Sequence, residues 1–379
     1  MNQLKTAGSF TLLCIASLTI MVGTLLAPGL VSISAGLGIT GNSVLLITLP
    51  SLGAVVFAPL AGKLIDKYGA YKLLMIGLFL YGLAGASAYL LHGPAQVFSN
   101  RFLLGGITAV VMASCTLLIS TWYQGEARLK MIAKQGMSIE LGGVIFLFLG
   151  GLLASQFWAL PLSIYLIAWV FLAMLLLFVP RHHATAVSHE QINEDDSKTI
   201  ISGLSLKNVY LISTLAMTIF FTSTVLLPIT MHELSYNESQ IGQLLAFISL
   251  VAVVTAGFMP KIIKWLNEPK VLALAFLAFA LSYICFTQTS ALLLALGALL
   301  IGIGFGFSIP LLNHMTVELS AAKVRGRNLS YFTMAVFSGQ FFTSFMEYMP
   351  GGAHNVFIMC SVFSVIISIV LFVKGRKSA

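Results

Sequence analysis

A chain of 379 residues that is 58% hydrophobic and only 8% charged, with a mean hydropathy of +0.98, carries more apolar side chain than a soluble core of that size can hold. Bilayer hydrocarbon is about 30 Å thick and takes about 20 apolar residues per crossing helix. Runs of that length recur along the whole sequence, which therefore reads as a polytopic helical membrane protein, and the ~10-residue alternating segments of an outer-membrane barrel are absent.

The first apolar run, 10–31, is too long for a signal-peptide core and lacks a clear cleavage site, so it is expected to be a retained span. Further spans are expected at 43–62, 72–92, 95–120, 130–154 and 158–180, then at 207–230, 239–260, 270–288, 291–315, 327–348 and 354–373. With a cytoplasmic N-terminus, twelve spans put all but one of the 20 basic residues on the inside, the exception being Arg101. The net charge of +8 is then a matter of topology, not a nucleic-acid footprint. Cys14, Cys115, Cys285 and Cys360 fall inside spans far apart in sequence and read as reduced small hydrophobes.

The longest polar stretch, RHHATAVSHEQINEDDSKTIISGLSL (181–206), reads as a cytoplasmic linker between a bundle over 1–180 and another over 207–379. Its histidines His182, His183 and His189 are too loosely spaced to suggest a metal site. The halves are weak repeats: GGITAVVMASCTLLISTWYQGEAR (105–128) lies over GIGFGFSIPLLNHMTVELSAAKVR (302–325) without a gap, matching Gly105 to Gly302 and Arg128 to Arg325. The expected fold is all-α, with twelve transmembrane helices in two pseudo-symmetric six-helix bundles. Two parallel halves of this kind are a transporter's organisation, with substrate bound near the midplane.

Individual residues carry the chemistry. Between spans 2 and 3, GKLIDKYGAYK (62–72) sets Asp66, Lys67 and Lys72 among glycines. Gly62 is expected to permit close helix packing, Gly69 a tight turn, and Asp66 to accept charge-assisted hydrogen bonds near a helix end. Arg101 lies about 9 Å below the outer end of span 4 at 1.5 Å per residue. A cation there is expensive unless it is paired, faces water or snorkels to the headgroups; its functional roles would be to tune a nearby carboxylic acid or to bind an anionic substrate group. Glu140 is the one acid placed deep in a span, roughly 15 Å from the cytoplasmic end of span 5. Its carboxyl can be neutral or charged depending on access and partners, which is what proton coupling needs; the plain alternative is a neutral acid hydrogen-bonded within the bundle. The repeat puts Phe337 opposite it.

Polar residues within spans are candidates for a substrate cavity: Thr218 and Thr222 of span 7, Asn313 and His314 of span 10, and Gln340 of span 11. Serine and threonine also mediate ordinary helix packing. Glu347, His232 and Glu233 sit near outer span ends, where interfacial solvation accounts for them, and Asn237-Glu238-Ser239 is a formal glycosylation sequon. No nucleotide motif of the form G-x-x-x-x-G-K-[ST] and no metal cluster is present, so no enzyme activity, cofactor or metal is expected.

GKLIDKYGAYK resembles the loop 2–3 signature of the major facilitator superfamily, matching at Gly62, Asp66, Lys67, Gly69 and Lys72, with Tyr71 in place of one basic residue. The resemblance implies that Asp66 belongs to a cytoplasmic gating latch; the second-half counterpart, GFMPKIIKWLNEPK (257–270), is degenerate. RFLLG (101–105) resembles the span-4 arginine–glycine motif of proton-coupled members. GVIFLFLGG (143–151) keeps Gly143, Gly150 and Gly151 of the drug/proton antiporter span-5 motif as helix-packing glycines, with Leu147 and Phe148 in place of Gly-Pro. The resemblance implies a proton-coupled exporter of a drug or metabolite, acting as a monomer in a bacterial inner membrane with both termini cytoplasmic. A proton symporter or facilitator taking up a small organic anion through Arg101 is the alternative, and a non-transporting receptor or scaffold is a third reading. The expected partners are a small-molecule substrate, protons and the lipid bilayer.

Overall fold

The computed structural model describes residues 4–123, 125–181, 204–288, 290–321 and 324–377. The chain divides into two compact units, Met1–Ile192 and Asn193–Ala379. The linker histidines His182, His183 and His189 lie outside the described residues, as does the side chain of Glu347.

The first unit contains α1 (Thr6–Thr24), α2 (Leu30–Gly36), α3 (Leu45–Tyr68), α4 (Ala70–Ser87), α5 (Pro94–Trp122), α6 (Gly125–Ala154), α7 (Leu160–Ser163) and α8 (Ile167–Phe178). The second contains α9 (Leu206–Glu233), α10 (Glu238–Ile263), α11 (Glu268–Phe286), α12 (Ala291–Glu318), α13 (Arg325–Phe342) and α14 (Gly352–Lys377). Short 3-10 segments at Ile164–Leu166 and Thr343–Tyr348 join α7 to α8 and extend α13.

Two departures from the expected spans have local causes. The first run does not stay helical to residue 31. Pro28 has no N–H to give the Thr24 carbonyl, Ala27 N takes that carbonyl instead (3.1 Å), and the chain restarts as α2 after Gly29. Among the described residues, eleven helices rather than twelve are long and apolar enough to cross a membrane. The remaining one, expected at 327–348, is helical as α13, but Arg325, Arg327, Asn328, Ser330, Thr333, Ser338 and Gln340 make it too polar to qualify by composition.

The two units repeat one packing scheme. α3 and α4 pack on α5, α4 on α8, and α1 on α5 and α6; correspondingly α10 and α11 pack on α12, α11 on α14, and α9 on α12 and α13. The repeat extends to single residues. Tyr81 of α4 donates to the Leu18 carbonyl of α1 (2.7 Å), and Tyr283 of α11 donates to the Ile219 carbonyl of α9. A Cβ on Gly105 would collide with the Pro50 carbonyl of α3, and one on Gly302 would lie 2.7 Å from the Ile248 carbonyl of α10. Gly142 sits against Ser17 as Gly339 sits against the Thr214 carbonyl, with the same residue separation as between Gly105 and Gly302. Small residues let backbones approach in a medium that supplies no hydrophobic drive between helices.

Candidate functional site

α6 is built from two faces. Ser138, Gly142, Phe146 and Gly150 recur at four-residue intervals and form the α1-facing stripe. Ser138 Oγ donates to the Leu13 carbonyl (2.7 Å), a Cβ on Gly142 would lie 2.7 Å from Ser17 Cβ, and one on Gly150 would strike the Leu25 carbonyl. Glu140, two residues from both Ser138 and Gly142, lies about 200° round the helix from each and so points away from α1. It stands near the middle of the 30-residue α6. Gly136 and Gly143 lie one turn to either side on its own face, with Met137 and Val144 at the other two flanking positions. Glu140 is part-exposed and has no hydrogen-bond or ion-pair partner among the described residues. Of the packing glycines expected here, Gly150 makes the α1 contact together with Gly142, which sequence reasoning passed over; Gly143 and Gly151 are buried one position further round. The signal that could have found Gly142 is its eight-residue spacing from Gly150.

Arg101 is fully buried within the first unit. Its Nε donates to the Leu46 carbonyl of α3 (2.9 Å), and one terminal nitrogen donates to both the Val22 carbonyl (2.8 Å) and the Tyr165 hydroxyl (3.1 Å). The Tyr165 ring, in the 3-10 segment, sits 5.6 Å from the guanidinium, lies against Gly85 of α4 and is tilted against Tyr81. Val22 is near the end of α1, where the helix dipole presents partial negative charge. The cation is thus held by carbonyls, a phenol and a helix end. No carboxylate is among its partners, and it does not reach an outer surface. Its other terminal nitrogen has no partner among the described residues.

The loop motif is only partly engaged. Gly69 has φ +83° and ends α3 while starting α4, the one-residue turn expected of it. A Cβ on Gly62 would meet nothing within 4 Å, so the close packing expected at Gly62 does not occur; it lies on an open helix face. Asp66 is exposed in the last turn of α3 and accepts no hydrogen bond among the described residues. The Lys67 and Lys72 ammonium groups lie 5.1 and 5.7 Å from the Tyr68 ring.

In the second unit the candidate cavity residues separate into two groups. Thr218 donates to the Thr214 and Gly339 carbonyls (2.8 and 3.0 Å), and Thr222 is fully buried and donates to the Thr218 carbonyl (2.7 Å). With Thr214 donating to the Ala335 carbonyl (3.1 Å), the Thr214 and Thr218 hydroxyls fasten α9 to α13, whereas the Thr222 bond stays within α9. Asn313 and His314 are exposed near the end of α12, beyond Pro310. Gln340 is part-exposed on α13, on the face that corresponds through the repeat to the Glu140 face of α6. His232 and Glu233 are exposed at the end of α9. Asn237 is engaged locally: its side chain accepts from Gln240 N (2.9 Å) while Gln240 Oε1 accepts from Asn237 N (3.1 Å), a capping box opening α10.

Two units that repeat one scheme of long apolar helices, one of them carrying a carboxyl midway along its length, are the organisation of a membrane transporter. The family model of the Major Facilitator Superfamily matches residues 12–344, and the chain belongs to that superfamily. It is 24% identical over 348 residues to the multi-drug resistance efflux pump PmrA of Streptococcus pneumoniae, covering 86% of this chain and 85% of that one. Among solved structures it resembles a POT family transporter in complex with 5-aminolevulinic acid, at 14% identity and TM-score 0.76, over 98% of this chain and 96% of the other. It also resembles a D-xylose-proton symporter, at 16% identity and TM-score 0.73, over 96% and 97%. The protein is therefore an integral membrane transporter of the major facilitator fold.

Proposed function

We propose that this transporter exports a small amphipathic organic compound in exchange for protons, with Glu140 as the group that takes up and releases the proton. The observation that carries this reading is the Glu140 carboxyl: midway along α6, part-exposed, between two glycines, and with no partner among the described residues. A charged carboxylate at that depth needs water or a cation, whereas the protonated acid does not, so proton occupancy changes which state of the carrier is cheap to close. Substrate and proton then compete for the same face of α6; within the second unit, Gln340 of α13 and Asn313 and His314 of α12 are the polar residues offered to substrate. Asp66, Lys67 and Lys72 form the gate at the inner membrane face. The similarity to an efflux pump along most of both chains supports the outward direction. The protein works as a single chain in a bacterial cytoplasmic membrane, both termini inside.

The uptake alternative relied on Arg101 to hold an anionic substrate. Full burial and three hydrogen bonds within the first unit leave it little to offer one.

The test is flux in proteoliposomes under an imposed pH gradient. Wild type should move substrate against the proton flow, and Glu140→Gln should lose the response to the gradient while still binding substrate. Intact pH-driven flux in Glu140→Gln would remove Glu140 from the mechanism, and substrate moving with the protons would reverse the assigned direction.

A further inference from the structure

Where α10 and α14 end, the second unit carries a feature that the transport cycle leaves unused. Trp265, in the short loop between α10 and α11, is 90% exposed, more than any other large apolar side chain described, and its neighbour Leu266 is also exposed. An indole held out of the fold in this way suits the membrane–water interface, where its apolar body and N–H are both accommodated.

Five cations lie along the same loop and the adjoining helix ends. Lys261 and Lys264 are exposed and Lys270 part-exposed on the loop side; Lys374 and Arg376 are exposed in the last turns of α14. The two segments are fastened together. Asn267 Nδ2 donates to the Gly375 carbonyl (2.8 Å) while Asn267 Oδ1 accepts from Lys270 N (3.3 Å). A Cβ on Gly375 would lie 2.9 Å from Lys270 Cγ and 3.1 Å from Asn267 Oδ1, so the glycine lets the tail rest directly on the loop. The Lys261 ammonium lies 5.8 Å from the Phe258 ring and the Arg376 guanidinium 4.9 Å from the Phe372 ring, both rings exposed on apolar helix surface. The patch thus runs from an apolar flank to a cationic rim, as a side chain that snorkels would arrange it. Among the described residues none of the five cations is paired with a carboxylate, and the one acid between α10 and the start of α11 is Glu268.

The corresponding turn of the first unit is built differently. It is a single residue, Gly69; it carries the acid Asp66; and its Lys67 and Lys72 lie over the Tyr68 ring. The second-unit loop has exchanged that aspartate for Lys261 and added an outward tryptophan.

We propose that this patch is a binding site for one anionic phospholipid, its headgroup bridging the loop cations Lys264 and Lys270 and the tail cations Lys374 and Arg376, with Trp265 beside it in the headgroup layer. The acyl chains lie on the adjoining surface of Phe258, Phe372 and Val373. A bound headgroup ties the α10–α11 loop to the end of α14. The inference is independent of the direction of transport and of proton coupling.

Native mass spectrometry of the purified full-length protein, titrated with phosphatidylglycerol and with phosphatidylcholine, tests it. Wild type should retain phosphatidylglycerol in preference to phosphatidylcholine. Lys264→Gln and Lys374→Gln should each weaken the tightest phosphatidylglycerol step about five-fold, the size expected for one juxtamembrane cation. Trp265→Ala should weaken it several-fold. All three side chains are exposed, so an unchanged melting temperature separates lost lipid from lost fold. Unaltered phosphatidylglycerol binding in these variants would overturn the proposal. Equal loss of phosphatidylcholine would overturn it in favour of unselective apolar adhesion, and displacement of the lipid by millimolar glycerol 3-phosphate would overturn it in favour of a soluble anion.

Discussion

Arg101 Nε donates to the carbonyl of Leu46, the carbonyl that Pro50 leaves without its helical N–H partner. The proline opens the ladder of α3 and the arginine of α5 closes it, while the same guanidinium takes the Val22 carbonyl near the end of α1. A buried cation is thereby used to satisfy two backbone acceptors that lipid could not.

This coupling is measurable. Arg101→Lys cannot reach both carbonyls with the geometry of a planar fork and should destabilise the first unit by about 1–3 kcal/mol. Pro50→Ala returns an N–H to the Leu46 carbonyl, so Arg101→Lys should be less damaging in that background. A thermal-unfolding double-mutant cycle in detergent should give an interaction of about 0.5–3 kcal/mol; strict additivity would show that the two residues do not share the Leu46 carbonyl.

The glycines separate by what faces them. Gly150→Ala drives a methyl into the backbone of α1 at Leu25, which cannot give way as a flexible side chain would, and should cost about 1–3 kcal/mol. Gly62→Ala adds a methyl in open space and should change stability by less than about 0.5 kcal/mol. Gly69→Ala meets no atom but must hold φ +83°, for a penalty of roughly 1–2 kcal/mol. Melting temperatures should be nearest wild type for Gly62→Ala and lowest for Gly150→Ala, with Gly69→Ala between them.

Tyr81 and Tyr283 hold equivalent links in the two units. Tyr81→Phe and Tyr283→Phe each remove one buried hydroxyl-to-carbonyl bond and should each cost about 0.5–1.5 kcal/mol. Hydrogen exchange should rise in α1 for the first variant and in α9 for the second. A change in the same helix for both would contradict the independence of the two links.

Asn237→Ala removes the capping box of α10 and should destabilise that helix by about 1 kcal/mol, seen as faster exchange at the amides of Glu238–Ile241. Retained protection would mean that packing, not the cap, fixes the start of α10.

For transport, Glu140→Gln should abolish the pH dependence of substrate binding, measured by equilibrium binding in detergent across pH, while Thr218→Val should leave substrate affinity unchanged and lower thermal stability instead. A Thr218→Val protein of normal stability but weakened affinity would return that residue to the substrate path.

Sequence alone determined the helical membrane class, the repeat and the loop signature, because hydropathy, charge bias and turn chemistry are local properties. The same locality sets its limits. A hydroxyl reads identically whether it faces a substrate or the next helix, and only the packing of α9 on α13 gave Thr218 its bond to the Gly339 carbonyl. Arg101 was legible as a misplaced cation, but its partners are carbonyls, and which carbonyls are vacant depends on where Pro50 and the end of α1 arrive in space. Glu140 was legible as a deep acid; that it stands between glycines on the side of α6 away from α1 was decided by which stripe of that helix α1 covers.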